Sequence, residues 1–270
     1  MTEATQEREP APPPSEHGRA RWKRLAALGL LLAAAAPLLI AVASLIAGSG
    51  AEDLGFFFVT AAIGIVGAIL VWRFGTWASV VGVIAALLMG MALFWTVFSL
   101  SYVSSFADFT TAVLLPLGVL VAVVAGIASI VRRRRRTPAA EGAERRAIQI
   151  VLAIVAVVAL VSGILNLTGR SSVADDAESD LIVRMHDFDF DEETYRADAG
   201  TTTILVRNND AFAHTFTIDE LNVDETIIPG SEKLVEVDAT AGTYILYCIP
   251  HTSDPEDPEP DDMAADFVVR

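Results

Sequence analysis

The sequence predicts two parts of different fold class: a membrane α-helical N-terminal region with five transmembrane helices, and an all-β C-terminal sandwich. Hydrophobic residues make up 53% of the 270 residues, which is too apolar a composition for an ordinary soluble domain. Five long apolar runs lie within residues 25–168. Short alternating runs separated by turn residues fill residues 181–270, as expected for strands.

The apolar runs predict membrane crossings because each is close to the ~20 residues that span a bilayer as a helix. They cover residues 25–47, 54–72, 77–100, 109–131 and 147–167. Trp22, Trp72 and Trp77 stand at run ends, where interfacial aromatic side chains belong. The first run resembles a signal peptide, but it is longer than a typical signal core and further spans follow it. We therefore expect it to remain as an anchor.

Two polar segments flank the membrane region. Residues 1–24 are predicted to be a disordered cytoplasmic tail, because their first twenty are rich in Pro, Glu, Thr and Ser. His17 in this tail is expected to be solvated rather than a metal ligand. Residues 169–180 form an acidic linker to the β-domain at 181–270.

The distribution of basic residues predicts the orientation. Arg73, the arginine run 132–136 and the pair 145–146 all fall on the side of the N-terminus, whereas the links 48–53 and 101–108 contain no Lys or Arg. The N-terminus is thus expected in the cytoplasm and the β-domain outside, in a multi-pass protein of the cell (plasma) membrane. A nucleic-acid patch is the alternative for the arginine run, but its position between two spans favours topology and contact with lipid headgroups.

The five runs contain no His, Asp, Glu, Lys or Arg. Ionisable groups mark most proton and ion pathways, and paired imidazoles hold membrane haem, so neither function is indicated. Gly64 and Ala68 form a small-xxx-small pair that permits close helix packing or dimerisation. The membrane part is therefore interpreted as an anchor or docking module.

Seven short runs after the linker predict a sandwich of two sheets, because several short strands at this spacing are typical of that fold. The runs cover residues 181–190, 201–208, 214–218, 226–228, 234–237, 243–248 and 265–269. Asn and Asp at 208–210, Pro229 with Gly230, and Gly242 mark the turns between them.

A metal site is indicated by the only cysteine, Cys248, which stands three residues before His251. Thiolate and imidazole together select copper or zinc. With His214 upstream and Met263 downstream, the residues form the His₂Cys set with a weak axial thioether that is typical of blue-copper electron-transfer sites. Each residue alone has an ordinary packing or surface role, but their joint order favours metal binding.

The same residues resemble the cupredoxin family, the plastocyanin-like and halocyanin-like blue copper domains, over about the last ninety residues. Segments 183–190, 199–209 and 241–248 are similar to the first strand, to the strand leading to the first histidine, and to the strand ending at the copper cysteine. The resemblance implies a two-sheet β-sandwich. It also implies one type I copper ion, with the ligands His214, Cys248, His251 and Met263.

The family usually leaves only a few residues between the last two ligands, whereas residues 252–262 intervene here. Met185, a backbone carbonyl or water is the alternative axial ligand, and His186 is expected not to bind the metal.

The predicted function is that of a membrane-anchored, extracytoplasmic type I copper protein that transfers single electrons between partners. Copper capture or delivery, and a metal-free cupredoxin-like interaction module, are the alternatives. The chain is expected not to be an enzyme, because an oxidase or nitrite reductase also needs a second copper centre built from further histidines. Only His17 and His186 remain for such a centre.

The charge of the β-domain and its linker limits the kinds of partner that they can bind. From residue 169 onward there are 25 Asp or Glu against 6 Lys or Arg, a local net charge of −19. Nucleic acid is not expected, since phosphate contacts need basic side chains. An extracytoplasmic redox protein with a basic docking surface fits better, although the acid also serves solubility or salt tolerance. The anionic loop 252–262 is expected beside the copper, where it steers such a partner or captures copper.

Overall fold

A computed structural model describes residues 16–48, 54–74, 76–93, 99–135, 143–174 and 177–270. Within these ranges the chain forms α-helices and then a β-sandwich. The helices are α1 (Glu16–Ala47), α2 (Leu54–Arg73), α3 (Thr76–Gly90), α4 (Phe106–Arg135) and α5 (Ala143–Gly169). Membrane helices are thus followed by strands, as the sequence predicts.

Four of the helices are long and apolar enough to cross a membrane: Trp22–Ala47, Leu54–Arg73, Phe106–Val131 and Arg145–Gly169. Helix α3 differs from the predicted third span, 77–100. It has 15 residues and ends at Gly90, so it rises about 22 Å against the ~30 Å of a bilayer core. Residues 94–98 of this run lie outside the described part of the chain.

Helix ends extend beyond the predicted apolar runs. Helix α1 begins at Glu16, so residues 16–24 are helical and not disordered as predicted, whereas 1–15 lie outside the described residues. Ala, Arg and Lys in this stretch are good helix formers, which lets the helix continue past the apolar core. Helix α4 begins three residues before its predicted run and thereby takes Asp108 into its first turn, where the helix dipole favours a carboxylate.

Small residues bring the membrane helices into direct backbone contact. A Cβ added to Gly29 of α1 would lie 2.4 Å from the Ala122 nitrogen of α4, and one on Gly118 would meet the α1 backbone at the same distance. A Cβ added to Gly64 would lie 2.8 Å from Ala34 Cβ of α1, and Ala68, one turn further along α2, is buried. The predicted small-residue pair therefore packs helices within the chain.

Nine strands in the described residues form two sheets. The strands are β1 (Leu181–His186), β2 (Asp189–Phe190), β3 (Thr194–Ala197), β4 (Gly200–Asn208), β5 (His214–Ile218), β6 (Val223–Ile227), β7 (Glu232–Ala239), β8 (Gly242–Tyr247) and β9 (Ala264–Val269). The first sheet has the order β2-β1-β4-β7 and the second β3-β9-β8-β5-β6. The pairing of β1 with β4, and of β3 with β9, is parallel.

Two strand predictions need correction. The predicted first strand, 181–190, is a hairpin, because the chain reverses at Asp187 and Phe188, which have φ values of 55° and 61°. Positive φ at both turn positions is the pattern of a two-residue type I′ turn. Strand β3 was not predicted, since its four residues follow an acidic stretch and carry only one large apolar side chain, Tyr195.

The two sheets enclose one apolar core. Buried side chains alternate along β7, where every second residue from Val235 to Ala239 faces inward. Phe216 and Phe267 are among the fully buried aromatic residues. Each such side chain contributes about 2–3 kcal/mol by burial. Cys248 and Met263 belong to the same core, so this rigid packing also positions the candidate metal ligands.

Candidate metal centre

Neighbouring strands bring the predicted ligands to one end of the sandwich. Strand β5 begins at His214, and β8, which pairs with β5, ends one residue before Cys248. A short 3₁₀ turn over Ile249–His251 then folds the chain back, with Pro250 in its first turn and the His251 N–H bonded to the Cys248 carbonyl at 3.0 Å. Proline supports this turn because its φ is fixed near the helical value.

The donor atoms of His214, Cys248 and His251 face one another and lie within 4.8 Å. The two Nδ1 atoms are 3.1 Å apart, and the Cys248 sulfur lies 3.6 Å from His214 Nδ1 and 3.4 Å from His251 Nδ1. Metal bonds of about 2.0–2.3 Å in a trigonal plane separate the ligand atoms by about 3.5 Å. The two imidazoles and the thiol therefore fit a single ion of the copper or zinc type.

Met263 lies beside this group despite the long preceding loop. Its N–H donates to the His251 carbonyl and its carbonyl accepts from the Cys248 N–H, both at 3.0 Å. Its side chain is fully buried with Cys248 in the core. Met185, the alternative axial ligand, is buried in the same core. The axial role of Met263 stays a prediction.

His186 lies outside the three-residue group. Its Nδ1 pairs with Asp187 at 2.9 Å on an exposed part of the sandwich. His17 lies in α1 of the membrane region. These positions do not test the prediction that His186 does not bind the metal.

Buried hydrogen bonds orient the first histidine and the thiol. Asp210 is 2% exposed, and its Oδ2 lies 2.9 Å from His214 Nε2. Binding at Nε2 leaves Nδ1 directed at the cysteine, which is how outer carboxylates fix the tautomer of metal-binding histidines. The Thr215 N–H points to the Cys248 sulfur at 3.3 Å. A donor placed there stabilises a thiolate.

The pKa values of the two imidazoles are shifted in opposite directions. Burial alone would lower the pKa of His214, but the hydrogen bond to Asp210 and the contact with Cys248 raise it to about 9. Burial and the adjacent His214 lower the pKa of His251 to about 3. Near neutral pH the metal-free pair therefore carries one positive charge, on His214, and a metal at Nδ1 would displace the proton from that atom.

Phe188 covers the histidines from the hairpin turn. Its ring centroid lies 5.1 Å from that of His251 and 6.0 Å from that of His214, in edge-on geometry. The Phe188 N–H donates to Asp210 Oδ2 at 2.9 Å. A phenylalanine with φ of 61° is strained, and such strain concentrates at functional sites.

The first turn of α4 and the loop before it also lie close to the site. The Ala213 N–H donates to Asp108 Oδ2 at 2.8 Å, one residue before the first histidine. Burial, followed by the proximity of Cys248, raises the pKa of the Tyr102 phenol to about 12. The site is thus bounded partly by the membrane region of the same chain.

The acidic loop is closed at its base. The Asp262 carboxylate accepts the N–H groups of Ser253 at 3.0 Å and Glu259 at 2.9 Å. The exposed acids are Asp254, Glu256, Asp257, Glu259 and Asp261. The loop forms a folded projection next to His251.

Sequence reasoning missed the groups around the ligands. Asp210 stands four residues before His214, but as part of an Asn-Asn-Asp turn it was interpreted only as a bend. Asp108 borders an apolar run that was predicted to begin one residue later. Phe188 and Thr215 carry no local signal, because their roles depend on a turn conformation and on a backbone N–H.

Comparison with known proteins agrees with this geometry at the level of the domain. The model of the cupredoxin-like domain family matches residues 152–256. The match begins inside α5 and ends in the acidic loop, before Met263. No curated protein matches the chain significantly.

Several solved structures are similar. A chain of a dimeric haem-copper terminal oxidase has 15% identity and a TM-score of 0.27, covering 47% of this chain and 95% of that chain. Subunit II of cytochrome c oxidase, in a mixed disulfide with a thioredoxin-like protein, has 16% identity and a TM-score of 0.25, covering 36% and 85%. The periplasmic domain of subunit II of cytochrome oxidase from Bradyrhizobium japonicum has 15% identity and a TM-score of 0.24, covering 35% and 86%.

One prediction is corrected by these structures. The categorical expectation that the chain is not an enzyme is wrong, because the similar chains come from terminal oxidases, which are enzymes. At this identity the likeness assigns no activity to the chain, and it does not support the exclusion of one. The family match and the two-sheet architecture with its His–Cys–His group together identify a cupredoxin-like domain in the C-terminal part of this chain.

Proposed function

We propose that this chain is a membrane-anchored, extracytoplasmic type I copper protein that transfers single electrons. The observation that carries the proposal is the triangle of donor atoms from His214, Cys248 and His251, whose sides of 3.1 to 3.6 Å suit one ion. Because the chain has one cysteine, one thiolate is available, which favours a single copper ion. Met263 is the proposed axial ligand.

Copper in such a ligand set gains and loses one electron with little rearrangement. The chain supplies the rigidity that this requires. Asp210 holds the His214 ring by its Nε2, and the Thr215 N–H stabilises the thiolate. The ring of Phe188 limits the access of water to both imidazoles.

The proposed organisation comprises a tail at 1–24, five spans within 25–168, a linker at 169–180 and the copper domain at 181–270. An odd number of crossings puts the domain outside when the arginine-rich links face the cytoplasm. This requires residues 77–100 to complete a crossing beyond the short helix α3. The four long apolar helices support membrane anchoring, and the basic links support the orientation.

The proposed partner is an extracytoplasmic redox protein with a basic docking surface. The exposed acids of residues 252–262 follow His251 directly in the sequence. His251 is the last residue of the turn after β8. Complementary charge of this kind raises the rate of encounter more than the final affinity.

The test is the visible and EPR spectrum of the full chain in detergent after addition of Cu(II). We expect an intense copper–thiolate band and narrow copper hyperfine splitting. Cys248→Ser should abolish both, and His186→Gln, which removes a histidine outside the group, should leave both intact. Ordinary tetragonal copper that is indifferent to Cys248 would rule out the type I assignment.

Copper capture or delivery uses the same ligands and is favoured by the acidic loop at the site. It differs in one measurable respect, because delivered copper leaves the protein. Reversible oxidation and reduction with copper retained supports electron transfer, whereas transfer of Cu(I) to an acceptor supports delivery. A chain that binds no stoichiometric copper would instead be a cupredoxin-like interaction module.

A further inference from the structure

The metal-site end of the sandwich contacts the first turn of α4 and the last residue of α5. The Asp108 carboxylate, in the first turn of α4, accepts the Ala213 N–H at 2.8 Å. Both residues are buried, at 7% and 2% exposure. The bond therefore joins the membrane region to the residue that precedes the first candidate ligand, across 105 positions of the sequence.

Independent contacts hold the same two parts together. Glu232, at the start of β7, donates its N–H to the Ser171 carbonyl at 2.9 Å and accepts from the Ser171 hydroxyl at 2.6 Å. Ile228 also lies against the end of α5, where a Cβ added to Gly169 would be in ordinary van der Waals contact with its side chain at 3.5 Å. The sandwich thus contacts both helices.

The loop that leads into the first turn of α4, where Asp108 lies, is itself hydrogen-bonded to α5. The Asn166 amide donates to the Ser104 carbonyl at 2.9 Å, and the Ser105 hydroxyl bonds to Asp108 Oδ2. A buried carboxylate is costly unless donors surround it. Among the described residues the Ser105 hydroxyl and the Ala213 N–H both donate to Asp108 Oδ2. The contact with the sandwich therefore completes the environment of this carboxylate.

We propose that Asp108 is a positioning residue that fastens the segment carrying His214 to the membrane region. The first turn of α4 then forms one wall of the site, and partners approach the part of the site that stays exposed. The turn after Cys248 exposes Ile249, at 45% exposure, three residues before the acidic loop. The proposal deepens the proposed function by naming the accessible face of the site, but the contact itself does not depend on copper.

Hydrogen exchange of the metal-free full chain in lipid nanodiscs tests the contact. In Asp108→Leu, which has no acceptor oxygen, we expect the Ala213 amide to exchange at least tenfold faster, with the Phe216 amide unchanged. Asp108→Asn retains an acceptor oxygen and should restore slow exchange. Asp180→Leu is the matched control, since Asp180 accepts the Thr203 N–H at 2.8 Å on the other sheet. It should accelerate Thr203 and leave Ala213 unchanged.

Unchanged exchange at Ala213 in Asp108→Leu would overturn the proposal, as would equal acceleration in Asp108→Asn. If Asp108→Leu exposes the whole sandwich, the comparison is repeated in a Cys248→Ser chain closed by a disulfide between Ser171→Cys and Glu232→Cys. Fast exchange confined to Ala213 then supports the proposal, and slow exchange overturns it. Because copper is absent throughout, a failed copper spectrum would refute the electron-transfer function without affecting this result.

Discussion

Replacement of Asp210 by alanine tests how far one buried carboxylate supports the candidate site. Asp210 Oδ2 accepts the Phe188 N–H and contacts His214 Nε2, both at 2.9 Å. The alanine variant removes both interactions and leaves the His214 ring buried without this partner. Asp210→Asn keeps an acceptor oxygen of the same size and is the conservative comparison.

The expected cost follows from these contacts. Both hydrogen bonds are made to a charged carboxylate, and each such bond contributes about 1.5–3 kcal/mol. Relief of the desolvation of a buried carboxylate offsets part of this sum. We therefore expect Asp210→Ala to lower the free energy of unfolding of the sandwich by about 3 kcal/mol. Loss of the outer partner of a histidine ligand should also weaken copper binding by about 10–100-fold.

Hydrogen exchange of the slowest amides in the metal-free sandwich measures the first effect. A loss of about 3 kcal/mol corresponds to exchange roughly a hundredfold faster. Competition with a copper chelator measures the second. Wild-type exchange and wild-type copper affinity in Asp210→Ala would refute the idea that this carboxylate orients His214. Equal losses in Asp210→Asn would show that charge, and not the acceptor geometry, is responsible.

Further expectations concern stability, the helix contact, the aromatic cover and the loop. The pKa of His214 is raised in the folded metal-free state, so its contribution to stability is present below about pH 6.5 and is lost as the pH rises through about 9. Thermal unfolding should show this fall, and His214→Gln should flatten it. Gly118→Val should prevent close packing of α1 and α4 and lower the melting temperature in detergent, whereas Gly55→Val, with nothing within 4 Å, should not. Phe188→Ala should speed the exchange of the bound copper with a chelator, because water then reaches His251; an unchanged rate would exclude a covering role. Replacement of the acids in 254–261 by Ser and Asn should reduce the rate of reaction with a basic redox protein and its salt dependence, with an unaltered copper spectrum.

Features that depend on periodicity and residue type could be predicted from the sequence. Apolar length predicted the membrane helices, and alternation predicted most strands. The residues of the His–Cys–His group were predictable because their order is distinctive. Features that depend on three-dimensional contact were not predictable. Asp108 and Ala213 are in contact although 105 positions separate them in the sequence, and the end of α3 at Gly90 lies inside an unbroken apolar run.

The closed base of the acidic loop has a consequence for evolution and engineering. Backbone hydrogen bonds join Met263 to His251 and Cys248. The Asp262 carboxylate accepts hydrogen bonds from the N–H and the hydroxyl of Ser253. Residues 254–258 therefore lie outside the bonds that close the base of the loop. The entropic cost of lengthening such a loop is small, about 0.6 kcal/mol for each doubling. Recognition peptides can be grafted there, so that the choice of partner changes while the ligand geometry is inherited intact.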